Sequence, residues 1–178
     1  KRGRGMQFQN SPVHELAILN KINIITPDNL KSNKLIDKLK QLNPELIVVM
    51  GYGKLLTEAI LNLPKLGCIN VHVSLLPRWR GPSPIEFSLI NGDQYSGVSI
   101  FKIEKELDSG PIFAQKKIQI YNFENKELLT EKLNKIGCKL LIDILPQIFD
   151  QSIVPTNQNK KLVTYSKKIN SNMTKIDF

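Results

Sequence analysis

Cysteine and histidine are both scarce in these 178 residues, two of each. Cys68 and Cys138 lie far apart and form no CxxC. With His14 and His72 they give no spacing that would hold a structural metal. They read instead as two buried thiols in a reducing compartment. No apolar run approaches the ~20 residues that a membrane-spanning helix needs. No secretory leader is visible, although the chain opens on Lys1 rather than Met, which leaves room for a segment upstream. Internal repeats and low-complexity stretches are also missing. Arginine is as sparse as lysine is common. There are only four, Arg2, Arg4, Arg78 and Arg80, in two short clusters. A guanidinium fork binds phosphate or carboxylate bidentately where an ammonium cannot. In a lysine-dominated chain, those two clusters point to a geometric need for anion recognition.

What is present is an ordinary globular composition, 41% hydrophobic, with a length suited to one domain with a real core. The net charge of +9 favours an anionic partner, a nucleic acid or a phosphorylated ligand. Residues 1–10 are basic, polar and glycine-containing, and read as a mobile loop. Ser11-Pro12-Val13-His14-Glu15 is a helix start, with Ser as N-cap and Pro at the first helical position. Val13, Leu16, Ala17 and Leu19 are expected on its apolar side. Ile22 to Thr26 reads as a short strand and Ser32 to Leu42 as a second helix. Leu46 to Met50 is a continuous apolar run before Gly51-Tyr52-Gly53, as expected of a buried parallel strand entering a tight loop.

Further along, Thr57 to Leu61 is a short helix candidate, Cys68 to His72 a strand, and Pro84 to Ile90 a helix. Val98 to Ile103 and Phe113 to Ile120 alternate as strands. Glu127 to Phe149 is the longest helical pattern, disturbed near Pro146. The tail from Gln151 is polar, with one strand candidate at Lys161 to Tyr165. Strands alternating with helices, then antiparallel-looking strands, predict an α/β chain with a Rossmann-like sheet and a mixed edge.

One segment concentrates chemistry: Asn70-Val71-His72-Val73-Ser74-Leu75-Leu76-Pro77-Arg78-Trp79-Arg80-Gly81. Period 2 in a strand puts Asn70, His72 and Ser74 on one face, near the strand's carboxyl end. That end is where open α/β sheets bind ligands. An amide that can hold an oxyanion and an imidazole that can move a proton would then share one cleft edge. Asp108, in Leu107-Asp108-Ser109-Gly110-Pro111, is the best candidate to orient the imidazole. Read singly, His72 also fits a structural histidine, Asp108 a turn residue and Ser74 a cap. No GxSxG surrounds Ser74, which argues against a serine nucleophile.

The long segment, with Leu107-Asp108-Ser109-Gly110 downstream, resembles the signature of the 10-formyltetrahydrofolate-dependent formyltransferases. The Arg-Trp-Arg-Gly ending is closest to the branch that acts on methionyl-tRNA. Gly3-Arg4-Gly5 before Ser11-Pro12-Val13, Gly67-Cys68-Ile69-Asn70, Leu162-Val163-Thr164-Tyr165 and Lys175-Ile176-Asp177-Phe178 extend the likeness nearly end to end. Within the motif, Val73 stands where the family usually has a smaller residue and Pro82-Ser83 where it has a small apolar pair; Val73 is expected to point away from Asn70 and His72, with little chemical effect.

The resemblance implies a three-layer formyltransferase fold with a mostly parallel sheet and mixed edge, its first strand–helix–strand unit absent from this chain. It implies a catalytic domain over 1–150. Residues 151–178 would complete that domain and lead toward a C-terminal β-barrel that contacts tRNA. It assigns catalysis to Asn70, His72 and Asp108, and the folate to Met50, Gly51, Tyr52, Gly53 and Leu55, with Ser74, Leu75, Leu76 and Pro77. It places Arg2, Arg4, Arg78 and Arg80 on tRNA. The implied reaction is direct transfer of a formyl group from 10-formyltetrahydrofolate to the α-amino group of methionyl initiator tRNA, for translation initiation, without a metal. The compartment implied is a bacterial cytoplasm or an organelle matrix. Formylation of a sugar nucleotide or small amine, and a non-catalytic fragment that binds tRNA or folate, are the alternatives.

Overall fold

A computed structural model describes residues 10–174. The expected helix start forms as α1 (Pro12–Leu19), where Ser11 Oγ accepts the His14 amide at 3.2 Å. α2 (Asn33–Leu42) follows and ends on left-handed Asn43. β1 (Ile47–Met50) leads through α3 (Glu58–Leu61), capped by the Thr57 hydroxyl, into β2 (Cys68–His72). α4 (Pro84–Ile90) precedes β3 (Tyr95–Lys102) and β4 (Ile112–Gln119), and α5 (Lys126–Phe149) is the longest helix.

The four strands form one mixed sheet in the order β1-β2-β3-β4. β1 and β2 are parallel, with Ile47 beside Cys68. The pairings β2–β3 and β3–β4 are antiparallel. The sheet expected to be mostly parallel is therefore parallel at one of its three pairings among the described residues. The connections explain this. After β2 the chain stays at the strand's carboxyl edge through a loop and α4, so it re-enters from that edge as β3. β3 and β4 are joined directly by residues 103–111, which permits only antiparallel pairing.

One face of this sheet carries the apolar core. Ile69 and Val71 of β2 and Val98 and Ile100 of β3 pack with Leu129, Leu133, Ile144 and Ile148 of α5 and Ile85 of α4. Fully burying one such side chain is worth roughly 1.5–3 kcal/mol. The helix lies close because Gly137 has no side chain: a Cβ there would stand 3.1 Å from Val71 Cγ1. By alternation, Asn70, His72, Ser99 and Phe101 point to the other face.

Several expectations are corrected. Ile22 to Thr26 forms no strand, since no described strand lies beside it to supply hydrogen bonds. α1 buries no residue: Val13, Leu16 and Leu19 of its expected apolar side stay exposed, and Ala17 is only partly covered. β1 is parallel but only half-buried, with Val48 and Met50 exposed. Pro146 does not interrupt α5. It sits one turn from the end, and its own carbonyl still accepts the Asp150 amide at 2.9 Å. Lys161 to Tyr165 is not a strand: Lys160–Leu162 is a 3-10 turn, and Tyr165 contributes only a bridge to Arg80. Cys68 is buried as expected, whereas Cys138 is exposed. Among the described residues no helix is long and apolar enough to cross a membrane.

Candidate active site

β2 delivers Asn70 and His72 to the carboxyl edge of the sheet, and the loop that follows is tied down bond by bond. Ser99, opposite His72 on β3, donates to the Ser74 carbonyl at 2.6 Å and accepts the Leu76 amide at 3.0 Å. Gln115 of β4 donates to Ser99 Oγ at 2.7 Å and to the Leu76 carbonyl at 2.9 Å. Ser74 Oγ donates to the Arg78 carbonyl at 2.7 Å, closing a turn. Ser74 is thus a loop clasp.

That turn brings the Trp79 carbonyl back onto the imidazole. His72 Nε2 lies 2.9 Å from Trp79 O, and a carbonyl can only accept, so Nε2 carries a hydrogen. In the neutral ring the lone pair is then on Nδ1. This nitrogen lies 3.8 Å from Asp108 Oδ2, with both side chains nearly buried, 8% and 11% exposed. The ring edge of His72 also meets Phe101, with centroids 6.3 Å apart. Asp108 is held from two sides. Its Oδ2 accepts the Gly81 amide at 2.7 Å, and its carbonyl accepts Gln158 Nε2 at 2.9 Å. Its backbone is left-handed, φ 48°, which Asp tolerates better than most residues. Asp108 is thus a left-handed turn residue whose carboxylate lies beside the imidazole.

A cavity of about 640 Å³ opens at this edge. Met50, Gly51, Tyr52, Gly53, Lys54, Leu55 and Leu56 form one wall, and Asn70, His72 and Asp108 another. Val73, Gly81 and Pro82 line it too, with Glu104, Glu106 and Leu107 beside Asp108. Its size falls in the range of small-molecule sites, roughly 300–1,000 Å³. The glycine loop leaves backbone accessible to a flat ring, and the carboxylates can accept from ring N–H groups. The Asn70 side chain makes no hydrogen bond to any described residue, so its amide is available to a ligand. The residues present fit a heterocyclic acyl donor. Cys68 is not a competing nucleophile: burial pushes its thiol up to about 11.

The expected site residues therefore divide. Asn70, His72 and Asp108 come together, and Met50, Gly51, Tyr52, Gly53 and Leu55 line the same cavity. Ser74, Leu75, Leu76 and Pro77 do not line it. The loop clasp turns Ser74 and Leu76 into the interior, and Leu75 packs over Gly97. Arg78 is 44% exposed but forms a bidentate pair with Asp93 and stacks 4.3 Å from the Trp79 ring. Arg80 is corrected more sharply. It is buried, 5% exposed, and its guanidinium donates through Nε and Nη2 to Gln158 Oε1 at 3.1 and 2.7 Å. On this geometry it supports the loop and does not face a polyanion. Arg2 and Arg4, like Lys175 to Phe178, lie outside the described residues.

Sequence reasoning missed Asp93, Gln158, Thr130 and Asn134. Asp93 lies in Asn91-Gly92-Asp93, whose residue types mark a turn and nothing more. Gln158 sits in a polar tail with no local pattern to mark it. Thr130 and Asn134 reach the cavity from α5 at i, i+4, a spacing any helix offers.

The fold and this edge define a class: an α/β protein with a ligand cavity at the carboxyl end of its strands, equipped with an amide, an imidazole and a carboxylate. The comparisons narrow it. Residues 1–145 match the formyl transferase family, and the chain belongs to that family. It is 42% identical over 176 residues to the methionyl-tRNA formyltransferase of Legionella pneumophila (strain Corby), covering 99% of this chain and 56% of that one. It is also 42% identical over 178 residues to the same-named protein of Dictyoglomus turgidum, covering 99% and 57%. The chain spans about half the length of the curated relatives it matches. Among solved structures, a formyltransferase from Anoxybacillus kamchatkensis superposes with a TM-score of 0.69 at 24% identity, over 88% of this chain and 80% of that one. That structure is a complex with UDP-4,6-dideoxy-4-formamido-L-AltNAc and tetrahydrofolate.

Proposed function

We propose that the protein carrying this chain transfers the formyl group of 10-formyltetrahydrofolate to the α-amino group of methionyl initiator tRNA. The observation that carries this is the convergence of Asn70, His72 and Asp108 on one edge of a cavity whose other wall is the glycine loop. Family membership and the relatives named methionyl-tRNA formyltransferase support this choice of substrates.

The folate supplies a formyl carbon bound to N10, an acyl donor reactive enough to need no metal. The residues 50–55 loop and the Asp108 loop hold its ring. The attacking amine lone pair forms the new C–N bond as the carbonyl electrons move onto oxygen. Asn70 donates its amide hydrogen to that oxyanion. His72 takes the proton from the amine at Nδ1, the nitrogen left free by the Trp79 carbonyl. The imidazolium so formed faces Asp108, whose carboxylate balances the charge. Collapse of the adduct breaks the bond to N10, and the proton returns from His72 to that nitrogen. The sum is formyl-methionyl-tRNA and tetrahydrofolate.

The tRNA contacts fall to the basic segment with Arg2 and Arg4, which suits a phosphate backbone, and in smaller part to the partly exposed Arg78. Residues 1–150 form the catalytic domain, and residues 151–178 complete it and lead toward a tRNA-binding β-barrel. The compartment is a bacterial cytoplasm or organelle matrix. One observation favours a second reading, formylation of a sugar nucleotide or small amine: both Arg78 and Arg80 are engaged within the protein.

The deciding experiment is a transfer assay with 10-formyltetrahydrofolate and methionyl initiator tRNA, using the full-length protein and its His72→Ala variant. Formyl-methionyl-tRNA made by the parent and lost in the variant is the expected result. Transfer to another amine but not to this tRNA would select the second reading. Formyl-folate left unconsumed with every amine would defeat both.

A further inference from the structure

Gln158 is a buried polar side chain far in sequence from the site, yet every one of its hydrogen bonds ends on the site's two loops. Its Oε1 accepts the forked guanidinium of Arg80. Its Nε2 donates to the carbonyls of Asp108 and Gly110, at 2.9 and 2.8 Å. The amide therefore links the loop that presents the Trp79 carbonyl to His72 with the loop that presents the Asp108 carboxylate to it. Gly110 is itself packed so closely on the Lys102 carbonyl that a Cβ would overlap it, so the Asp108 loop has a fixed anchor at that end.

Resting on the catalytic reading of Asn70, His72 and Asp108, we infer that Gln158 is a positioning residue for the His72–Asp108 pair. Only an amide meets both demands. The Arg80 fork requires an acceptor, and the two carbonyls require a donor. A left-handed Asp108 is held in place by bonds to its surroundings, and the Gln158 bond to its carbonyl is one of the few. Removing that donor frees Asp108 to move from the imidazole while leaving the cavity's folate wall, residues 50–55, untouched.

Two variants of the full-length protein separate this from a structural role. Gln158→Glu keeps the acceptor for Arg80 and strengthens it with charge, but loses the donor. Gln158→Ala loses both and leaves the buried guanidinium without its acceptor, so instability is expected there. The expected result for Gln158→Glu is a kcat about 10- to 100-fold lower, in line with the cost of small misplacements at a reacting centre. Its KM for the formyl donor stays near the parent's; its melting temperature falls, because two buried carbonyls lose their donor, so kcat is read well below that transition, where the variant is folded. NMR provides a readout independent of turnover. With only two histidines, His14→Gln assigns the ring resonances of His72, and these shift in Gln158→Glu. A kcat unchanged in a stably folded Gln158→Glu overturns the inference, as does a loss of activity fully explained by unfolding. If the parent shows no formyl transfer, the catalytic reading fails, and the His72 resonances still decide whether Gln158 sets the pair's geometry: unmoved resonances overturn it.

Discussion

Asp93 accepts three hydrogen bonds, two from Arg78 and one from the indole of Trp79 at 2.7 Å. Burial alone would raise its pKa, but the bonds from Arg78 and Trp79 and the guanidinium charge outweigh this, and the net shift is downward. A carboxylate depressed in the folded state contributes stability above its unfolded pKa, ~3.9, and loses it as pH falls through the lower folded value. Trp79 is the sole tryptophan, so its fluorescence reports the contact. Its acid transition is expected below the ordinary carboxylate range, and Asp93→Asn should remove that pH-dependent contribution. A transition centred at or above that range would refute the depression. At the same scale, Asn70→Ala is expected to lower kcat about 100- to 1,000-fold, the usual loss for one oxyanion donor. The melting temperature should hold, because the Asn70 side chain bonds to no described residue. A residual activity near that of the parent would remove Asn70 from the chemistry.

Elements were legible where the local signal agreed with the packing. β2 falls where Cys68 to His72 was expected, α4 follows its Pro84 start, and α3 its Thr57 cap. They failed where a pattern needed a neighbour. Ile22 to Thr26 has strand composition, but a strand exists only with a partner to accept its backbone hydrogen bonds. The apolar residues Val13, Leu16 and Leu19 of α1 likewise remain exposed. α5 shows the converse. Its glycine would count against a helix by propensity, by about 1 kcal/mol relative to Ala. Gly137 stands instead where the helix must approach Val71 and Val98. Gly137→Val is therefore expected to destabilise the fold by about 1–3 kcal/mol through overpacking. Urea denaturation measures it, and a midpoint equal to the parent's would show that α5 can lift without cost.

At the scale of the whole molecule, the tail holds the site together. The Arg80 amide donates to the Thr164 carbonyl at 2.9 Å, and the Ser166 amide donates to Arg80 O at 2.7 Å. Ser166 Oγ accepts the Ser83 amide at 3.1 Å, and Trp79 N donates to Thr164 Oγ1 at 2.9 Å. Gly81 permits this approach. Its φ is 109°, and a Cβ would collide with the Ser166 carbonyl. Gly81→Ala should cost about 1–3 kcal/mol from the strained backbone, plus the clash. Amide exchange at Arg80 and Ser166 should accelerate, since those protons bridge the loop and the tail. Unchanged protection at both would mean that the tail is not what secures the loop.

The sequence by itself determined the α/β class, the strand that carries Asn70 and His72, and the tight glycine loop after β1, because each is encoded by residues within a few positions of one another. Period 2 needs only five neighbours, and a tight loop only its glycines. Tertiary structure alone decided that two of the three described strand pairings are antiparallel where a mostly parallel sheet was expected, the interior placement of Arg80, the inward turn of Ser74 and Leu76, and the placement of Gln158 between the two loops. Those outcomes depend on which distant groups complete a buried polar atom's hydrogen bonds, and no local pattern records a partner many residues away.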